Sequence, residues 1–159
     1  MILTNILGPP CAGKSSLAGR FILEHPDWFY TSIDNCRIIQ KDEKLAWNML
    51  EEDLEIINRN IVFESSGLSW RLPNILKKQT KKILSIALLA SKEELHKRLS
   101  LRQNKRDLPY KLRMDEKQSI DWVLQNIGSC EYPIDLVIRT DQVSKEEAYK
   151  ILSDKIEEI

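Results

Sequence analysis

The strongest constraint in this chain is the run Gly8-Pro9-Pro10-Cys11-Ala12-Gly13-Lys14-Ser15, which satisfies G-x-x-x-x-G-K-[ST] at every fixed position. Such a loop has to join a strand to a helix. The apolar run Ile2–Leu7 supplies the strand, and the amphipathic run from Lys14 to His25, closed by Pro26, supplies the helix. Gly8 and Gly13 allow backbone conformations and close approaches that a Cβ would obstruct. Loop N–H groups and the positive end of the helix then converge on one spot, an arrangement suited to phosphate. Gly8, Pro9, Pro10, Cys11, Ala12, Gly13, Lys14, Ser15 and Ser16 are therefore the expected nucleotide-binding set, with ATP and Mg²⁺ as the expected ligands. Lys14 is expected to reach the β- and γ-phosphates and the Ser15 hydroxyl to hold Mg²⁺. Ser16 reads mainly as a helix-start residue. Cys11 reads as a small filler, since nothing nearby supplies a base for it.

The rest of the sequence predicts one α/β domain over 1–159. Short apolar runs at Ile2–Leu7, Trp28–Ile33, Asn60–Glu64, Ile83–Leu89 and Leu136–Arg139 alternate with helical patterns. Helices are expected over Lys14–His25, one long span Cys36–Asn58, Trp70–Thr80, Ser91–Gln103, Met114–Ile127 and Ser144–Ile156. Together with the loop, this alternation predicts a P-loop NTPase three-layer sandwich: five parallel strands in the order 2-3-1-4-5, helices on both faces, and a basic lid over about 98–112. With 42% hydrophobic and 30% charged residues the chain can bury a core without metals or disulfides. Its 24 basic and 24 acidic side chains cancel, so any polyanion site must be a local patch. No run approaches the roughly 20 apolar residues of a membrane span, and the opening MILTNILG lacks a basic leader. Cys11, Cys36 and Cys130 are scattered and lack metal spacing, which predicts reduced thiols in a cytoplasmic protein.

Several P-loop classes are excluded. Asn104-Lys105-Arg106-Asp107 has the letters of a guanine-reading motif, but it lies in a basic helix and turn well beyond the Ile83–Leu89 run. No Asp-x-x-Gly follows the third strand, where the chain reads Glu64-Ser65-Ser66-Gly67. A motor is hard to fit into so short a chain, which leaves the small kinases. Asp34, just past the second strand, can take or orient an acceptor hydroxyl's proton, and Arg37, one helical turn on, can hold an anionic group in its planar fork. The competing reading makes Asp34 the cap of a helix starting at Asn35–Cys36. Arg98, Arg102 and Arg106 form an i, i+4, i+8 stripe, and the first two are expected to close over the phosphates as a catalytic lid. Glu64, at the third strand's end, is expected either to hold Mg²⁺ through water or to fix Arg37. Trp70 and Arg71 are further candidates for contact with the acceptor.

The order GPPCAGKSS, FYTSIDNCR, FESSGL and HKRLSLRQNKRDLP resembles the kinase domain of phage polynucleotide kinase and its relatives. The resemblance runs through about residue 112. It implies that Asp34 is the general base, that Arg37 binds the substrate's phosphate, that Glu64 is the third-strand acid and that Arg98 and Arg102 are the lid arginines. The family's third-strand acid is Asp, and this chain has no Asp-x-Asp phosphatase motif. The plan is also similar to shikimate kinase, gluconate kinase, zeta-toxin and antibiotic phosphotransferase families. The expected partners are ATP and a hydroxylated acceptor, first a polynucleotide 5′-hydroxyl, alternatively a metabolite, nucleoside or antibiotic, with no membrane. A polynucleotide predicts a positive groove near Lys77, Lys78, Lys81, Lys82 and the lid. The acidic residues of the Cys36–Asn58 span would repel it. A non-catalytic ATP-binding regulatory module is the rival of another class.

Overall fold

The central strands, Ile2–Leu7, Ile61–Ser65 and Lys82–Leu89, are too apolar to stand alone and are buried almost throughout, whereas the edge strands are only partly buried. The computed structural model describes residues 1–102 and 108–159. In chain order the elements are β1 (Ile2–Leu7), α1 (Lys14–Glu24), β2 (Phe29–Ser32), α2 (Ile33–Gln40), α3 (Glu43–Ile56), β3 (Ile61–Ser65), α4 (Leu72–Lys77), β4 (Lys82–Leu89), α5 (Lys92–Leu101), α6 (Glu116–Asn126), β5 (Leu136–Arg139) and α7 (Lys145–Glu157). The sheet order is β2-β3-β1-β4-β5 with every pair parallel, as predicted. Alternate residues of the strands feed two cores. Ile6, Leu84 and Leu88 meet Phe21 of α1, Leu95 of α5 and Leu152 of α7, while Leu3, Ile61 and Phe63 meet Leu50 and Leu54 of α3 and Leu72 and Ile75 of α4. Among the described residues no helix is long and apolar enough to cross a membrane.

The largest departure from expectation is the long helix over Cys36–Asn58, which is two helices. Lys41 takes a left-handed conformation at the end of α2, and the Asp42 side chain caps α3 by accepting the Leu45 N–H. Nor does Asp34 cap anything. Ser32 is the cap of α2, its hydroxyl accepting the Asn35 N–H at 3.0 Å. Trp70–Thr80 shrinks to α4, which starts on Pro73's turn. The Asn104–Asp107 run and Arg106 lie outside the described residues.

Gly8 follows β1 directly at φ +143°, where an added Cβ would stand 2.2 Å from the Leu88 carbonyl oxygen on β4. Neither atom belongs to a flexible side-chain end, so the loop and β4 would have to separate. Gly8→Ala is expected to cost about 3 kcal/mol or more of stability, read from the urea midpoint at an unchanged m-value.

Candidate active site

All five strands point their carboxyl ends at one edge, the place where open α/β sheets gather their functional groups. There β1 runs into the loop, β2 into α2, and β3 ends on Glu64 and Ser65. A cavity of about 280 Å³ opens at this edge, lined by loop residues from Gly8 to Ser16, by Asp34, Arg37 and Glu64, and by Arg102. Pro9 and Ala12 do not line it. Ala12 is fully buried in the core, so those two positions contribute backbone only.

The loop is shaped for an anion. Gly13 is left-handed, and no side chain caps α1, which leaves the helix's first-turn N–H groups to a ligand. Cys11 also takes positive φ, at 66°. Lys14 lies back along the loop, its Nζ donating to the carbonyls of Gly8 at 3.0 Å and Pro9 at 2.9 Å. Burial pushes its ammonium below the ordinary lysine pKa, and the charges of Glu64 and Asp34 only partly oppose this.

Glu64, on the buried central part of the sheet edge, is 6% exposed and accepts two hydroxyls. Ser15 Oγ donates to one carboxylate oxygen at 2.9 Å, and the Tyr30 hydroxyl donates to the other. Burial, then the hydrogen bond to Glu64, raises the Tyr30 pKa, so Tyr30 stays a donor. A hydroxyl beside a carboxylate is an oxygen donor set suited to a hard cation such as Mg²⁺. Among the described residues no cluster of three or more His, Cys, Asp or Glu side chains is placed to hold a metal, so phosphate oxygens and water would complete the set. Glu64 therefore sits on Ser15, and it is another acid that fixes Arg37.

That acid is Glu43. Arg37 donates through Nε and Nη2 to both Glu43 oxygens, at 2.8 and 2.7 Å, and through Nη1 to Asp34 at 2.9 Å. Trp47 Nε1 donates to Glu43 as well, at 2.9 Å. Burial opposes the charge on Arg37, but the Glu43 hydrogen bonds and charge, with Asp34, outweigh it and hold the guanidinium above its usual pKa.

The two lid arginines part company. Arg102 lines the cavity, pairs with Glu116 at 2.7 Å and is close enough to Lys14 for its charge to lower that pKa. Arg98 does not line it. Its guanidinium donates to the Cys11 carbonyl at 3.3 Å and to the hydroxyl and carbonyl of Thr140 at 2.9 and 2.8 Å, bracing the loop against the turn after β5. Trp70 is 80% exposed and outside the cavity, and Arg71 is turned onto α3 by Asn48 and Glu51.

No family model matches the chain, and no curated protein matches it in sequence. Solved structures match it by shape. Shikimate kinase from Bacteroides thetaiotaomicron superposes with a TM-score of 0.69 at 16% identity, over 98% of each chain. The YorR protein from Bacillus subtilis, solved in complex with phosphorylated GDP, gives 0.65 at 19% identity over 98% of this chain and 95% of that one. A chain of the Pnkp1/Rnl/Hen1 RNA repair complex gives 0.65 at 20% identity over 82% of this chain and 45% of its own. The fold is that of the P-loop kinases.

Within that P-loop kinase fold, the sheet edge brings together the loop, Asp34, Arg37, Glu64 and Arg102, all expected from the sequence. The sequence reading missed Tyr30, Glu43, Trp47 and Glu116. Tyr30 had a signal, since it lies on the same face of β2 as Ser32, which registers with Glu64. Leu108, Tyr110 and Leu112, within the expected lid span, and Met114 just past it line the cavity, a role the sequence reading did not give them.

Proposed function

We propose that this chain transfers the γ-phosphoryl of ATP to a hydroxyl of a small acceptor molecule. The observation that carries the reading is the shared cavity, which joins an uncapped phosphate loop to the Asp34 carboxylate with Ser15 and Glu64 between them. Loop N–H groups and Lys14 hold the phosphates, Lys14 leaving its two carbonyl partners to do so. Ser15 would hold Mg²⁺, with Glu64 orienting the Ser15 hydroxyl. Bound there, the metal would offset charge on the transferring phosphate. Asp34 accepts the acceptor's hydroxyl proton as the acceptor oxygen bonds phosphorus and the bond to the ADP oxygen breaks. Arg37 holds Asp34 in place. Arg102 reaches the phosphates, whereas Arg98, on Thr140, serves the nucleotide's base side and the loop's shape.

The placement of the lysines supports a small acceptor over a polynucleotide end. Lys81 is buried with Nζ on the Leu54 carbonyl at 2.7 Å, and Lys78 is paired with Glu51 at 2.6 Å. Lys82 opens β4, at the opposite end of the strands from the cavity. Lys78, Lys81 and Lys82 therefore do not line the cavity.

The test is γ-labelled ATP offered with a panel of small alcohols and oligonucleotide 5′-hydroxyl ends. Label is expected in a small-molecule product. No ATP binding, or no transfer to any acceptor, would sink the reading.

A further inference from the structure

We propose that the acceptor is an uncharged hydroxylated molecule of about nucleoside size with a flat apolar face. This rests on the phosphotransferase reading and narrows it. Part of the cavity's lining is apolar and aromatic. Ile33 and Trp47 come from α2 and α3, and Leu108, Tyr110, Leu112 and Met114 come from the segment before α6. Flat rings gain most from such a wall, through offset stacking and sulfur contacts as well as burial.

The charges argue in the same direction. Among the described residues the cavity-lining cations are Lys14, Arg37 and Arg102. Lys14 and Arg102 are on the phosphate side, and Arg102 is paired with Glu116. At the acceptor end Asp34 and Arg37 line the cavity, and Arg37 is also paired with Glu43, which does not line it. Arg113, whose charge also acts on Glu43, is not among the lining residues. An anionic acceptor would have to enter beside Asp34, where Arg37, the lining cation there among the described residues, already has two carboxylate partners, and a half-buried like-charge contact is costly. An uncharged acceptor meets no such penalty, and its hydroxyl can donate to Asp34. The cavity, about 280 Å³, is slightly smaller than usual small-molecule sites, so it can take the terminal phosphates and only the acceptor's reacting end.

The test compares adenosine, guanosine, cytidine and thymidine with shikimate and gluconate, and with 5′-hydroxyl DNA and RNA dodecamers, as acceptors from labelled ATP. ATP binding is measured separately by calorimetry. At least one nucleoside is expected to exceed both anions and both oligonucleotides by about a hundredfold in kcat/KM. Equal or better labelling of the anions or dodecamers would overturn the proposal, as would no labelling of any class by protein that binds ATP. Protein that fails to bind ATP would instead bring down the phosphotransferase reading on which it rests. Leu112→Glu, at a 39% exposed position that tolerates a charge in the folded state, puts a carboxylate into the apolar wall. It is expected to raise the KM for the preferred nucleoside about tenfold with the KM for ATP within about twofold. An unchanged nucleoside KM would remove this wall from the acceptor site.

Discussion

Asp34→Asn is expected to lower kcat for phosphoryl transfer by about a thousandfold while ATP affinity stays within about twofold. Asn has the same shape, and its carbonyl oxygen can still accept the Arg37 Nη1–H that Asp34 accepts at 2.9 Å. Arg37 also keeps its two bonds to Glu43, so its place should not change. The cap of α2 is untouched, because Ser32 supplies it. What the substitution removes is a group that can take a proton at the hydroxyl as the phosphoryl moves. A purely structural Asp34 would show in the melting temperature and little in kcat. Single-turnover kinetics with ATP prebound separate the two. A kcat within tenfold of the parent, with the fold intact, would take Asp34 out of the chemistry.

The fold was largely legible in the sequence because the loop fixes a strand and a helix, and the short apolar runs repeat the pattern. The break at Lys41-Asp42 was not, since the acids on both sides fit a continuous helix and no glycine or proline marks the site. Missing that break hid Glu43, which reaches Arg37 only because the chain turns there. The arginine stripe misled for a related reason. Spacing of i, i+4 puts two side chains on one helix face only while the helix lasts, but α5 ends at Leu101 and Arg102 has left helical geometry. So Arg102 swings to the cavity while Arg98 stays on the helix and meets Thr140. The wall before α6 carries no periodic signal at all, and only the closure of that segment over the sheet edge makes Leu108 and Met114 neighbours of Asp34.

Lys14→Met should separate stability from function. The ammonium sits in a site that lowers its pKa by desolvation, so in the free protein its charge opposes folding. The sign follows from proton counting. Between the lowered pKa and the ordinary lysine value of 10.5, the unfolded chain holds a proton that the folded chain has lost, so stability rises with pH across that window. Below the window the cost is present in full. Methionine keeps the length of the side chain and removes the charge, and the two freed carbonyls of Gly8 and Pro9 face a cavity that water can enter. The melting temperature is therefore expected to be no lower than the parent's, and the rise in stability with pH toward 10.5 should flatten. Nucleotide binding should move the other way. Phosphates bring the negative charge that Lys14 lacks in the free protein, and losing that contact is expected to weaken ATP binding about a hundredfold and kcat by at least as much. Calorimetry in buffers of different ionisation enthalpy gives a further check, since within that window ATP should draw a proton onto Lys14 of the parent and none onto the variant. A variant that keeps ATP affinity within tenfold would show that Lys14 belongs to the loop's architecture and has no part in phosphate binding.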